Sequence, residues 1–175
     1  MVAILTLETS GAEVSFREGC EVPAISADGE ARMADGLKAS NRSPGEDWIA
    51  IVRKNGSPEF AAAFVERPIL RASVLRAPCV GVESIAAFFG TASSMYDTIA
   101  FTNETVDDDK TYLEWEGKVF GFDVCGVTIL TRDAAGLIQS VRLYHSPLQV
   151  LARFSTELSR RLSGKIDPLL FGASA

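Results

Sequence analysis

The most chemically versatile side chain in this 175-residue sequence is His145, its sole histidine. An imidazole titrates near neutral pH and can therefore act as a general base. The competing interpretation is structural. His145 ends a strand-like run just before Ser146-Pro147, where a histidine is more often bonded to the backbone or partly exposed, and no acid lies beside it in the sequence to orient the ring.

Three consecutive aspartates, Asp107 to Asp109, raise the question of a metal site, since hard cations take carboxylate oxygens. Adjacent residues on a tight turn point in different directions, so the pattern favours a solvated hairpin tip. The three cysteines, Cys20, Cys79 and Cys125, are widely spaced without a CxxC motif, and Cys79 and Cys125 have the apolar surroundings of inert small hydrophobes. We predict no metal and no cofactor.

Composition narrows the class of partner. The chain is 47% hydrophobic, enough for one buried core, and its net charge is −6 without a basic stripe, which disfavours nucleic acid. No segment approaches the roughly 20 apolar residues of a membrane span. The first residues lack the basic region of a signal peptide, and reduced thiols suit a cytoplasmic location.

Hydrophobic periodicity predicts the elements that must position these residues. Three successive strands of one antiparallel ribbon are expected at 112–119, 124–131 and 137–144, preceded by strands at 69–75 and 96–106. Helices are expected after Ser43-Pro44, after Ser57-Pro58 and at 82–93. The second of these continues to Phe64 and ends at Arg67-Pro68. A last helix begins at Ser146-Pro147, with Ser146 as its cap, and buries the stripe Leu148, Leu151, Phe154, Leu158 and Leu162.

Residues 1–43 differ from the rest, which leads us to separate an N-terminal extension, 1–43, from a main domain, 44–175. Runs at 2–7 and 14–16 could be short strands, whereas 27–44 is small, polar and charged, like a linker. Two interpretations stay open for the extension: a poorly packed segment, or an added hairpin that covers a sheet edge.

The order helix, helix, strand, helix, four strands, helix, together with particular phrases, resembles the NTF2-like superfamily in its SnoaL-like branch. The resemblance covers about residues 46–164 and rests on the segment 81–89, Glu116-Gly117, Gly126 and the turn 133–138. It implies an α+β fold, a cone-shaped barrel whose curved, mixed or antiparallel sheet is covered by helices. It also implies a hydrophobic pocket at the mouth and a homodimer formed through the outer sheet face.

The catalytic members of that superfamily are compared position by position. Alignment with ketosteroid isomerases places their helix tyrosine on Trp48, their general-base aspartate on Ala72 and their donor aspartate on Thr128, so none of the three is retained. The acidic position of polyketide cyclases has Ser146 as its nearest counterpart. The chain also lacks the Arg-x-Asp of limonene-epoxide-hydrolase-like sites and the two histidines of scytalone-dehydratase-like sites.

The same alignments, combined with strand alternation, predict which residues face the pocket. The expected ligand-binding residues are Trp48, Ala72, Leu113, Trp115, Thr128, Val141, Leu143 and His145. Residues on the outer face would include Tyr112, Glu114, Glu116, Val127 and Ile129, where a second copy could pack.

Two classes of function follow. The first is a SnoaL-like protein whose hydrophobic pocket binds a small apolar or aromatic metabolite without a recognised catalytic set. The alternative is an isomerase, polyketide-cyclase-like or hydratase enzyme, without cofactor, in which His145 is the general base and Thr128 or a water assists. A scaffold that matters chiefly for its dimer face also stays open.

Overall fold

The computed structural model describes residues 3–6 and 42–171. Four α-helices and seven strands make up this part of the chain, and a 3-10 helix, Pro168–Leu170, follows them. In chain order the elements are β1 Ala3–Thr6, α1 Pro44–Arg53, α2 Pro58–Ala62, β2 Phe64–Ala72, β3 Cys79–Val80, α3 Val82–Ser93, β4 Tyr96–Asp107, β5 Lys110–Val119, β6 Phe122–Arg132, β7 Ile138–Ser146 and α4 Leu148–Arg161.

All seven strands form one curved, mixed sheet in the order β1-β4-β5-β6-β7-β2-β3. Neighbouring strands run antiparallel except β2 and β7, which are parallel. Side chains on β5 alternate in burial, with Thr111, Leu113 and Trp115 buried and Glu114 and Glu116 exposed. The predicted inner and outer faces of the ribbon are thus confirmed, and the buried face packs under the helices.

A capping box starts α1 and fixes its position over β4. The Ser43 hydroxyl accepts a hydrogen bond from the Glu46 amide at 3.3 Å, and the Glu46 carboxylate accepts one from the Ser43 amide at 2.9 Å. Glu104 on β4 accepts from the Gly45 amide at 3.2 Å. A Cβ at Gly45 would lie 2.3 Å from the Glu104 carboxylate, so glycine permits this close approach. The docked helix then presents Trp48 to the core.

The predicted second helix is too long. It ends at Ala62, and Phe64 already begins β2, which continues through Pro68. Proline cannot donate to a ladder and is found in strands at edges or bulges. Here the register between β2 and β7 shifts between Phe64 and Ile69, and the Pro68 carbonyl accepts from the Gly81 amide at 3.0 Å. The irregularity accommodates the proline inside the sheet.

The start of the last helix also differs from the prediction. Ser146 is the final residue of β7, Pro147 is the N-cap, and no side chain caps the helix. Leu148 is 76% exposed rather than part of the buried stripe, and Val150 is buried together with Leu151, Phe154, Leu158 and Leu162. The buried stripe therefore begins at Val150, about one helical turn after the end of β7.

Three smaller points complete the fold. Strand β1 pairs with β4 at one edge of the sheet, whereas residues 14–16, the other strand expected in the extension, lie outside the described residues.

Cys125 is exposed on the outer face, not in apolar surroundings as expected, while Cys79 is buried. Cys20 lies outside the described range. Within residues 3–6 and 42–171, the helices are all too short or too polar to cross a bilayer.

Candidate functional site

A cavity of about 160 Å³ lies between the concave face of the sheet and helices α1, α3 and α4. Its wall is mainly aromatic and aliphatic, and no aspartate or glutamate is among the described residues that line it. The principal lining residues are Trp48, Ile49, Val52, Arg53, Phe88, Phe89, Ala92, Ser93, Tyr96, Ile99, Phe101, Trp115, Thr128, Leu143, His145 and Phe154. Arg53 is the exposed member of this set, which places it at the rim.

Five of the eight residues predicted to bind a ligand lie in this wall, namely Trp48, Trp115, Thr128, Leu143 and His145. The other three, Ala72, Leu113 and Val141, are buried in the hydrophobic core and do not line the cavity. The strand register explains why Val141 does not line the cavity. Val141 pairs with Leu130, one row beyond the pair Thr128 and Leu143 on the same face. The cavity ends before that row.

Gly126 has no side chain at the centre of the cavity floor, which leaves room for the rings of Trp115 and His145. It pairs with Trp115 on β5 and with His145 on β7, so the three residues form one row across the sheet. A Cβ at Gly126 would lie 2.3 Å from Trp115 Cζ2. Without that atom the indole and the imidazole meet edge to face, with ring centroids 5.1 Å apart.

His145 is held by two side chains rather than by an acid. Its Nδ1 lies 2.9 Å from the Ser73 hydroxyl, and its Nε2 lies 2.9 Å from the Tyr96 hydroxyl. The His145 amide also donates to the Ser73 hydroxyl at 3.1 Å. Sequence reasoning missed both partners. The parallel pairing of Ala72 with Leu143 brings Ser73 alongside His145, and this pairing is not readable from the local pattern.

Burial keeps both titratable groups of this contact uncharged at neutral pH. It lowers the pKa of His145 from its usual 6.5 to about 4, and it raises the pKa of Tyr96 well above its usual range. Neutral imidazole carries one N–H and one lone pair. His145 therefore joins its partners as one donor and one acceptor, with the tautomer set by the surroundings.

Two further polar groups occupy the wall. Thr128 is 2% exposed, and it belongs to the cavity wall. The indole Nε1 of Trp115 is buried and has no hydrogen-bond partner within the described chain, and the indole ring meets the rings of Tyr96 and His145 edge to face. Of these two, Thr128 is the one available to a guest, since the Trp115 nitrogen is covered by protein atoms.

The aspartates at the hairpin tip do not approach the cavity. Asp108 has a φ of +53° in the turn between β4 and β5, and Asp107 and Asp108 are exposed. Across the described ranges, no three His, Cys, Asp or Glu side chains converge as metal ligands would.

No protein-family profile and no curated protein matches the sequence. Solved structures do match its fold. An uncharacterised bacterial protein with a cystatin-like fold from Silicibacter pomeroyi superposes with a TM-score of 0.62 at 19% identity, over 70% of this chain and 87% of that one. A steroid delta-isomerase from Pseudomonas aeruginosa gives 0.61 at 16% identity, over 67% and 88%.

A de novo designed protein with a curved β-sheet gives a TM-score of 0.51 at 19% identity, over 65% of this chain and 94% of that one. At these identities the likeness concerns the fold alone. The chain adopts the NTF2-like α+β fold, as the sequence resemblance implied.

Proposed function

We propose that the protein binds a small apolar or aromatic molecule of about one ring in the cavity beside Trp115. The observation that carries this proposal is the cavity itself, about 160 Å³ in volume and walled by aromatic side chains. An engineered cavity of about 150 Å³ lined by apolar side chains binds benzene. Pockets for drug-sized ligands begin at about 300 Å³, so a guest as large as a steroid is not expected.

The polar groups of the wall give the guest an orientation. Thr128 on β6 has its hydroxyl in the wall, and Tyr96 and His145 meet at a second point. A few convergent polar groups in an otherwise apolar wall are typical of small-molecule sites. The proposed guest therefore carries at most one or two polar atoms on an otherwise apolar body.

The experiment is a thermal-shift titration with benzene and with a steroid. Benzene should raise the melting temperature, because a ligand that binds only the folded state stabilises it; the steroid should not. Ala92 lies in the cavity wall, and Ala92→Leu should abolish the benzene shift by filling the space. Ala152→Leu is the matched control, since Ala152 is exposed on α4. The absence of a benzene shift in the wild type, or equal shifts in both variants, would contradict the proposal.

The alternative function, acid–base catalysis by His145, has less support. A base with a pKa of about 4 is weak at neutral pH, and the ring is oriented by hydroxyl groups rather than by a carboxylate. If the alternative holds, His145→Gln should lower the turnover rate of a small ketone by about a hundredfold or more.

We also propose a cytoplasmic location, which suits the free thiols at Cys79 and Cys125. We further propose that the protein forms a homodimer through the outer sheet face. On the outer face, Glu114 and Glu116 lie at the middle of β5, with Lys110 and Lys118 towards its two ends. Glu114 on β5 pairs across Val127 with Tyr144, while Arg142 on β7 pairs with Arg71 on β2. A two-fold axis through the middle of this face would bring Glu114 of one copy towards Arg142 of the other.

The dimer is tested by sedimentation of the wild type against Tyr144→Glu. Tyr144 is 52% exposed at the centre of the face, so the change should yield monomers without loss of the fold. Phe122→Glu, at a similarly exposed position at the start of β6, serves as the control. A wild type that sediments as a monomer would sink this part of the proposal.

A further inference from the structure

A row of three hydrogen-bonded side chains connects the protein surface with the cavity. Ser73 is exposed, His145 is half-buried, and Tyr96 lines the cavity. His145 Nδ1 faces the Ser73 hydroxyl and Nε2 faces the Tyr96 hydroxyl, both at 2.9 Å. Tyr96 and His145 both belong to the cavity wall, and both also line a second void of about 10 Å³.

Neutral imidazole allows two arrangements of the protons along this row. In the first, Nδ1–H donates to Ser73 and the Tyr96 hydroxyl donates to Nε2. The Ser73 hydroxyl then directs its own proton to water, which its exposure allows. In this arrangement the Tyr96 oxygen offers the cavity only lone pairs.

In the second arrangement, the Ser73 hydroxyl donates to Nδ1, and Nε2–H donates to the Tyr96 oxygen. The Tyr96 proton must then point elsewhere. Apart from Tyr96 and His145, the small void beside them is lined only by apolar side chains, such as Val74, Val119 and Val150. Its volume of about 10 Å³ is at the lower limit for one water, which would also lack polar partners there, so a new acceptor for the proton must come from the cavity.

The content of the cavity decides between the two arrangements. When the cavity holds no hydrogen-bond acceptor, the second arrangement leaves the Tyr96 proton buried and unpaired, which disfavours it roughly tenfold or more. When a guest presents a carbonyl oxygen, that proton gains a partner and the penalty disappears. Both arrangements keep one proton on each hydroxyl and one on the ring, so their exchange moves one proton from Nδ1 to Nε2 through solvent, with no net gain or loss.

We propose that Ser73, His145 and Tyr96 form a tautomeric relay. The Tyr96 oxygen offers the empty cavity a hydrogen-bond acceptor, and when a one-ring carbonyl compound binds, the Tyr96 hydroxyl becomes a donor to its oxygen. This inference rests on the proposed function for its second half, because a guest must enter. The burial that keeps His145 neutral supports it, since a charged ring would be a donor at both nitrogens.

The sole histidine makes the relay directly observable. Protein labelled with ¹⁵N-histidine gives one imidazole spectrum, and its ¹⁵N shifts identify the protonated nitrogen. We expect Nδ1–H at pH 7 without a guest, no change with saturating benzene, and conversion to Nε2–H with saturating cyclohexanone. Tyr96→Phe is the comparison variant: it removes the hydroxyl that would donate to the carbonyl, so cyclohexanone should bind more weakly, and the tautomer should stay Nδ1–H even at a concentration that saturates this variant by thermal shift.

Two results would overturn the relay: Nε2–H in the protein without a guest, or an unchanged tautomer when thermal shift shows cyclohexanone bound. Conversion in Tyr96→Phe would do so as well, since Tyr96 would not be its cause. If neither compound binds, the proposed function fails on its own terms. The resting tautomer then still decides the relay, with Nδ1–H supporting it and Nε2–H overturning it.

Discussion

Gly126→Ala tests how the cavity floor is built. The added Cβ would lie 2.3 Å from Trp115 Cζ2 and 2.2 Å from the Tyr144 carbonyl oxygen. Neither atom is the free end of a flexible side chain, because the indole is 2% exposed and the carbonyl belongs to the paired strand β7. Overpacking by one methyl in such a place costs about 1–3 kcal/mol. With the strand also displaced, we expect a loss of about 3 kcal/mol in the free energy of unfolding.

A second glycine separates the two sources of strain. A Cβ at Gly117 would lie 2.3 Å from the Thr98 carbonyl oxygen, and its nearest contacts are backbone atoms. Gly117→Ala therefore measures the strand clash without the indole. Both variants should lower the urea midpoint, but only Gly126→Ala should change the near-ultraviolet circular dichroism of Trp115 and abolish benzene binding.

A double-mutant cycle isolates the contact with the indole. In Trp115→Leu protein, the added methyl at Gly126 meets a smaller side chain, so its cost should fall by about 1 kcal/mol or more. The cost of Gly117→Ala should not change. Equal costs of Gly126→Ala with and without the indole, or a stable Gly126→Ala protein with native ring contacts, would refute the account of the floor.

Three further perturbations have expected outcomes. Gly90→Ala should be neutral or stabilise by up to about 1 kcal/mol in thermal unfolding, since alanine favours a helix and the added Cβ meets only the movable Asn55 amide; a loss above about 1 kcal/mol would contradict this. Ser43→Ala removes the capping box and should cost about 1 kcal/mol in urea unfolding, while an unchanged midpoint would show that the cap is dispensable. Because the pKa of His145 is lowered to about 4 in the fold, the unfolded chain binds the extra proton first, and stability falls as the pH drops below about 6.5. Between pH 7 and pH 5 the loss is at most about 2 kcal/mol, and it should vanish in His145→Gln; an equal loss there would point to other groups.

The parts of the fold fixed by neighbouring residues were predictable. Alternation along the predicted strands 112–119 and 124–131, combined with the family alignments, places Trp115 and Thr128 on the inner face, because side chains two apart share a side of a strand. Helix α3 was predicted with its observed bounds, since its apolar residues recur at helical spacing between Gly81 and Ser94.

The parts fixed by distant residues were not. Pro68 indicated the end of a helix, and only the pairing of β2 with β7 shows that it lies within a strand. The same pairing brings Ser73 to His145, and the packing of β4 brings Tyr96 to the other side of the ring. Ala72, Leu113 and Val141 were assigned to the pocket from the face they share. Val141 lies one row beyond the cavity, but Ala72 and Leu113 lie in the same row as Thr128 and Leu143, so only the packing of other residues over them keeps them out of the wall.

The binding cavity is tested most directly by a crystal structure of the protein soaked with iodobenzene, whose iodine can be located by its anomalous signal. We expect one strong peak within the wall formed by Trp48, Trp115 and Thr128, and its disappearance in Ala92→Leu. An iodine bound only outside this wall, or side chains from α1 and α3 collapsed into the space, would contradict it.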